Sequence, residues 1–186
     1  ALGLRWLEAL APPGTITPLV FEDHDNHLLA MEAVPEPHEN WKTMLLGGRL
    51  ENDHVEQFGR LLGTVHRGGY ERREETEPTF WDRSFFESLR LEPYYGYSSE
   101  QVPDAADFLR ALVEETRIRR DTLVHGDYSP KNVLVREGRL VLLDHEVIHF
   151  GEPAFDLGFS LTHFLSKAHH LPDMREDFAD VARFYW

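Results

Sequence analysis

Apolar residues recur along this chain with two periods, and each change of period marks an element. Leu2, Leu4, Trp6, Leu7 and Leu10 share a helical face, and Pro12-Pro13-Gly14 stops the pattern. Leu19-Val20-Phe21 and His27-Leu28-Leu29-Ala30-Met31 read as strands joined by the polar turn Glu22–Asn26, and Pro35 closes that region. Residues 35–51, with Pro35, Pro37, Gly47 and Gly48, read as loop. Asn52 or Asp53 then caps a helix carrying Val55, Phe58, Leu61, Leu62 and Val65, with Gly68-Gly69 expected to end it. His66, beside that stripe, reads as a packed, hydrogen-bonded histidine. Arg72 to Glu77 reads as a solvated loop. Phe80, Trp81, Phe85, Phe86, Leu89 and Leu91 give an aromatic-rich segment, helical from about Asp82, and Tyr94, Tyr95 and Tyr97 follow it. Asp104 to Arg120 is predicted as a helix with Phe108, Leu109, Leu112, Val113 and Thr116 on one side.

The aliphatic runs Val133–Val135 and Leu140–Leu143 flank Arg136-Glu137-Gly138-Arg139, which predicts a hairpin whose Gly takes a positive φ. Phe155 to Ala168 is predicted as a buried helix. A last helical pattern begins after Pro172 and runs to Phe184-Tyr185-Trp186. No repeat or low-complexity tract interrupts these elements.

Composition narrows the class. The 186 residues suffice for one domain with a sizeable core, and 41% hydrophobic with 28% charged residues is a globular balance. No run reaches the roughly 18 apolar residues of a membrane span. Cysteine is absent, so no disulfide or thiolate metal site forms. No secretory signal is visible at the start. The net charge of −14 opposes phosphate contacts with nucleic acid and is compatible with a cationic acceptor.

Candidate chemistry gathers around the predicted hairpin. His125-Gly126-Asp127-Tyr128-Ser129-Pro130-Lys131-Asn132 leads into its first strand, and Asp144-His145-Glu146 leaves its second. A hairpin brings its two ends together, so Asn132 and Asp144 are expected to be neighbours, with Asp127 nearby on the same loop. Two carboxylates and an amide oxygen suit Mg²⁺ on a polyphosphate, which takes few protein ligands and fills its octahedron with substrate oxygens.

The string H-G-D-Y-S-P-K-N-V-L-V with L-L-D-H-E resembles the catalytic set of kinases, with His-Gly-Asp for His-Arg-Asp and Asp-His-Glu for Asp-Phe-Gly. This variant resembles the aminoglycoside phosphotransferase and choline kinase-like superfamily of small-molecule kinases. The resemblance implies an α+β, protein-kinase-like fold: hinge strands, then a mainly α-helical C-terminal lobe with the catalytic β-hairpin. Residues 1–34 would be a remnant of the N-terminal lobe with the hinge, and 35–186 a C-terminal lobe incomplete at its end. Asp127 would be the catalytic Asp, with Lys131 able to neutralise the transferring phosphate. Asn132 and Asp144 would hold Mg²⁺, with Glu146 beside them. Asp156 would brace the catalytic loop, and His125 would hold that loop from behind. Met31, Glu32 and Val34 would form the hinge, with the Glu32 carbonyl and the Val34 amide meeting adenine.

The implied reaction is phosphorylation of a small-molecule hydroxyl by ATP, or GTP, with Mg²⁺ in the cytoplasm, without nucleic-acid or membrane partners. The tyrosines could line an acceptor pocket, although packing under a loop explains them as well. Lys42, Lys131 and Lys167 are the only lysines, and none lies on a strand ahead of the hinge. The family's phosphate-covering loop, its Lys and the partner Glu would therefore precede Ala1. The chain is accordingly expected to be a fragment, inactive by itself or reduced to a pseudokinase-like nucleotide-binding module.

His145-Glu146-Val147-Ile148-His149 is also a literal H-E-x-x-H, the zinc-hydrolase motif, for which Glu176 could be nominated as third ligand. That motif requires a helix. The β-branched Val147-Ile148 and the early Gly151 and Pro153 predict the opposite.

Overall fold

Leu4 and Leu7 turn inward on α1 (Leu2–Leu10), as their spacing requires, in the computed structural model, which describes residues 1–185. Strands β1 (Leu19–Asp23) and β2 (Leu28–Met31) pair antiparallel with Leu19 opposite Met31. The stretch 35–51 is not the expected loop: it holds β3 (Glu39–Asn40) and α2 (Trp41–Leu46). The Asn40 carboxamide accepts the Thr43 N–H as an N-cap, and Trp41, Met44 and Leu45 are buried. Three inward residues in one turn and a half are too few to show a period between prolines and glycines.

Helix α3 (Asn52–Glu71) runs through Gly68-Gly69, where the sequence predicted its end. A Cβ on Gly69 would stand 2.7 Å from the Leu123 Cβ and the Thr122 Oγ1. This glycine admits a strand against the helix instead of capping it. Gly69→Ala is therefore expected to destabilise the fold by about 1–3 kcal/mol, as overpacking does. Urea unfolding of the variant measures this, and an unchanged midpoint would contradict the close approach.

Helix α4 (Arg73–Thr79) replaces the predicted solvated loop. Its charges pair along the backbone, Arg72 with Glu75 at 3.0 Å and Arg73 with Glu77 at 3.8 Å. The buried Thr76 hydroxyl donates to the Gly69 carbonyl at 2.8 Å. Helix α5 (Ser84–Phe86) continues through a π-helical stretch, Glu87–Gly96, into α6 (Tyr97–Gln101), so the tyrosines lie inside a helical run. Pro93 has no N–H to give, which removes one ordinary helical bond within that stretch. In α7 (Ala106–Ile118) Thr116 is buried as predicted, but Phe108 is 69% exposed.

Strand β4 (Thr122–Val124), strands β5 (Val133–Arg136) and β6 (Arg139–Leu142), strand β7 (His149–Gly151), α8 (Ala154–His170) and α9 (Arg175–Tyr185) complete the order. Trp186, which ended the last predicted pattern, lies outside the described residues. The whole is mixed α/β and mainly helical, with small antiparallel sheets. Among the described residues no helix is long and apolar enough to cross a membrane.

The chain packs as two units. The first holds residues 1–65, 128–144 and 157 onward; the second holds 66–127 and 145–156. In the first, β5 lies between β3 and β6, with Val133 opposite Leu142. The core of this unit is aromatic. Phe58 stacks on Tyr128 at 4.1 Å, and Trp41 meets Phe58 and Phe164 edge-on at 4.9 and 5.7 Å. In the second unit β4 pairs with β7, Thr122 opposite Gly151 and Val124 opposite His149. Phe86 packs there between His149 and Phe155, with ring separations of 4.0 and 4.7 Å.

Candidate active site

Asp127 closes the second unit, and the loop that carries it is held from three directions within that unit. Asp156, in the first turn of α8, is fully buried. Its two oxygens accept the backbone N–H groups of His125 and Gly126, each at 2.8 Å. His66 Nε2 donates to Oδ2 at 3.0 Å, as the sequence predicted for a packed histidine. Burial by itself would raise the Asp156 carboxyl. The His66 hydrogen bond, the electrostatic pull of the His66 and His125 rings and the His125 N–H outweigh it and hold the group below its ordinary value.

Gly126 has φ +77°, and a Cβ there would come within 2.9 Å of Val147. Only glycine fits both demands, which explains why Gly stands where protein kinases carry Arg. The His125 Nδ1 accepts the Asp127 N–H at 3.2 Å, so the ring carries its proton on Nε2. That proton faces the His145 Nδ1, 3.2 Å away. Burial first, and then the His125 ring, pull His145 down to about 3, so it stays neutral and accepts.

The third hold is Arg90, in the π-helical stretch. Its Nη2 lies 2.9 Å from the Asp127 Oδ2, its Nε donates to the Gly126 carbonyl at 3.1 Å, and its Nη1 donates to the Leu89 carbonyl at 2.9 Å. Arg90 and Asp127 are 7% and 0% exposed, so the pair is buried. Nothing in the sequence reading selected Arg90. The available signal was a lone cation between Leu89 and Leu91 in an aromatic-rich run.

Tyr128 reopens the first unit. Its buried hydroxyl donates to the Phe58 carbonyl at 2.6 Å, which ties the start of this segment into the aromatic core. A single 3₁₀ turn, Pro130–Asn132, then leads into β5. The Asn132 carbonyl accepts the Leu143 N–H at 2.8 Å, so the residue before Asp144 is bonded to Asn132, as the hairpin argument predicts. Between them the turn residues Glu137 and Gly138 have φ +51° and +72°, the pattern of a type I′ turn. Gln57 clamps that turn, donating to the Gly138 carbonyl at 2.8 Å and accepting the Leu140 N–H at 3.2 Å.

Asp144 has φ +63°, a left-handed conformation that is uncommon without glycine, and its side chain is exposed. Residues held in this region cluster at functional sites. Lys131 and Glu146 are also exposed, Lys131 in the 3₁₀ turn and Glu146 in the turn before β7. An amide oxygen and a carboxylate from the two ends of one hairpin are hard donors of the kind Mg²⁺ takes, so Asn132 and Asp144 fit that ion.

Met31 ends β2, and its sulfur accepts the Thr17 hydroxyl at 3.5 Å. The Glu32 N–H donates to the Pro18 carbonyl at 3.0 Å, so the last strand pairing leaves the Glu32 carbonyl and Val34 N–H aside. Glu32 to Pro35 also wall an open cleft of about 950 Å³, with Pro12–Gly14 and the Arg136–Arg139 turn opposite. Asp127, Asn132 and Asp144 do not line it, so its size marks no reaction centre.

The zinc reading fails on geometry. His145 and Glu146 lie in a loop and turn, and His149 lies on β7, not on a helix. The His149 ring stacks on Phe86 with Nδ1 donating to the Val147 carbonyl at 2.9 Å, and burial pulls it down to about 4. Among the described residues no group of three or more His, Cys, Asp and Glu could hold a metal ion. The tyrosines form no single lining either. Tyr94 and Tyr97 are exposed, while Tyr95 packs toward Phe155 with ring centres 6.3 Å apart.

A braced His-Gly-Asp loop followed by an Asn-to-Asp hairpin in a mixed α/β fold defines a kinase-like protein. The family model of the phosphotransferase enzyme family (APH) matches residues 4–184, and the chain belongs to that family. No curated protein matches it significantly.

Proposed function

We propose that this protein transfers the γ-phosphoryl group of ATP, or GTP, to a hydroxyl of a small molecule. The observation that carries this reading is Asp144, held at φ +63° beside the residue that bonds back to Asn132. Packing alone does not call for an exposed carboxylate in that conformation. Asn132 and Asp144 would hold Mg²⁺, with Glu146 assisting, and the ion would neutralise charge on the phosphates when bound. Asp127 orients the acceptor hydroxyl and takes its proton as the acceptor oxygen bonds to phosphorus and the bond to the nucleoside diphosphate breaks. Lys131 offsets charge on the transferring group. The Glu32 carbonyl and the Val34 N–H, set aside by the last strand pairing, receive the adenine edge next to Met31. In this reading residues 1–34 carry the hinge and residues 35–186 the catalytic lobe. The net charge of −14 favours neutral or cationic acceptors and opposes nucleic acid.

The test is transfer of labelled γ-phosphate from ATP, with Mg²⁺, to a panel of aminoglycosides, amino alcohols and sugars. A labelled phosphate ester supports the reading; failure to bind nucleotide at all would remove it. Asp144→Asn is expected to raise the Mg²⁺ concentration needed for half-maximal transfer and to lower turnover together. A Mg²⁺ titration of the variant that overlays the wild type would take Asp144 out of the metal site.

A further inference from the structure

We propose that Arg90 is a positioning residue for phosphoryl transfer, acting through Asp127. The inference rests on the reading of Asp127 as the residue that receives the acceptor hydroxyl. A carboxylate in that role must present one oxygen in a fixed direction, and rotation about its χ angles would defeat it. Arg90 removes that freedom. Its Nη2 holds the Asp127 Oδ2 at 2.9 Å while its Nε holds the Gly126 carbonyl at 3.1 Å. One planar guanidinium therefore grips both the carboxylate and the backbone that precedes it. The fork geometry of Arg suits this double grip, and a lysine ammonium would reach one partner at a time.

The guanidinium is itself fixed, because Nη1 donates to the Leu89 carbonyl at 2.9 Å. Asp156 supports the same loop through the His125 and Gly126 N–H groups. Those bonds fix the main chain, whereas Arg90 holds the Asp127 side chain itself, by a charged contact. The Arg90 position also fits its helix. The π-helical stretch Glu87–Gly96 is an uncommon geometry that recurs at functional sites, and here it carries the arginine that pairs with Asp127 Oδ2.

Structural and positioning roles predict different kinetics. A residue that acts through Asp127 has nothing left to do once Asp127 is replaced. The experiment measures Mg²⁺-dependent ATP hydrolysis, with water as the acceptor, in the protein at its full natural length. Wild type is compared with Arg90→Met, Arg90→Lys, Asp127→Asn and the double variant. Arg90→Met is expected to lower kcat by about 10²-fold, the scale of a misplaced catalytic group, while KM for ATP stays within about twofold. Arg90→Lys, which keeps the charge but loses the double grip, is expected to fall between the two. The double variant is expected to be no slower than Asp127→Asn.

Losses that multiply in the double variant would show Arg90 acting independently of Asp127 and overturn the proposal. So would a wild-type kcat for Arg90→Met alongside a slow Asp127→Asn. A wild-type rate for Asp127→Asn would instead overturn the reading of Asp127, and the inference with it. Should Arg90→Met fail to fold because it strands a buried carboxylate, Arg90→Lys and the double variant decide the matter, since neither buries a lone charge.

Discussion

Asp127→Asn is expected to lower phosphoryl transfer by about 10²–10⁴-fold, the range that a positioned proton acceptor contributes. The substitution keeps the shape of the side chain. Its carboxamide oxygen still accepts from the Arg90 Nη2, which lies 2.9 Å from Oδ2 in the wild type. The loop backbone keeps its bonds to Asp156 and to the His125 Nδ1. What disappears is an oxygen able to accept the hydroxyl proton. Labelled transfer to an accepted substrate reads the loss, and nucleotide binding measured in parallel should be unchanged. A variant that turns over at the wild-type rate would remove Asp127 from the mechanism, whatever its neighbours.

The second large effect is structural. Asp156→Ala deletes the acceptor for the His125 and Gly126 N–H groups and for His66, at a carboxylate that is itself fully buried. Breaking such a buried charged network costs about 3–5 kcal/mol. Asp156→Asn does not restore it, because its single carboxamide oxygen cannot replace two carboxylate oxygens and its NH₂ would face a donor. Both variants should unfold at lower urea than the wild type, with Ala the less stable.

The same residue gives the fold a pH dependence of known sign. Folding holds the Asp156 carboxyl below its ordinary value of 3.8, so the folded state binds this proton more weakly than the unfolded chain. Its contribution is therefore complete above the ordinary carboxylate range and is lost as pH falls through the lower folded-state value. The stability gap between wild type and Asp156→Asn should be constant near neutrality and shrink in acid. A gap that widened on acidification would mean that Asp156 is held in its protonated form.

Asp156 was legible in advance through the family resemblance, which implies a bracing Asp at this position. Gly69 was misread for the opposite reason. A glycine pair at the end of an apolar stripe looks the same whether it caps a helix or admits a strand, and Thr122 and Leu123 decide which. Helix α2 was missed because three inward residues between prolines and glycines carry no period. Arg72 to Glu77 read as a solvated loop from its charges; the charges do face solvent, but they pair along α4, with Thr76 buried beneath them.

The sequence by itself determined the hairpin, the positive φ of Gly138 in its turn, the adjacency of Asn132 to the Asp144 loop and the membership of a phosphotransferase family. Each depends on residues a few positions apart, where strand period and turn chemistry act directly on the chain. Only the tertiary structure decided what holds the two chemical loops. Arg90 on Asp127, Tyr128 on Phe58 and His145 on His125 join segments far apart in the chain, through bonds that no local spacing encodes. It also agrees with the sequence's own argument against zinc, because H-E-x-x-H becomes a metal site only where a helix turns both histidines to one face. Here the chain enters β7, and packing against Phe86 claims His149 instead.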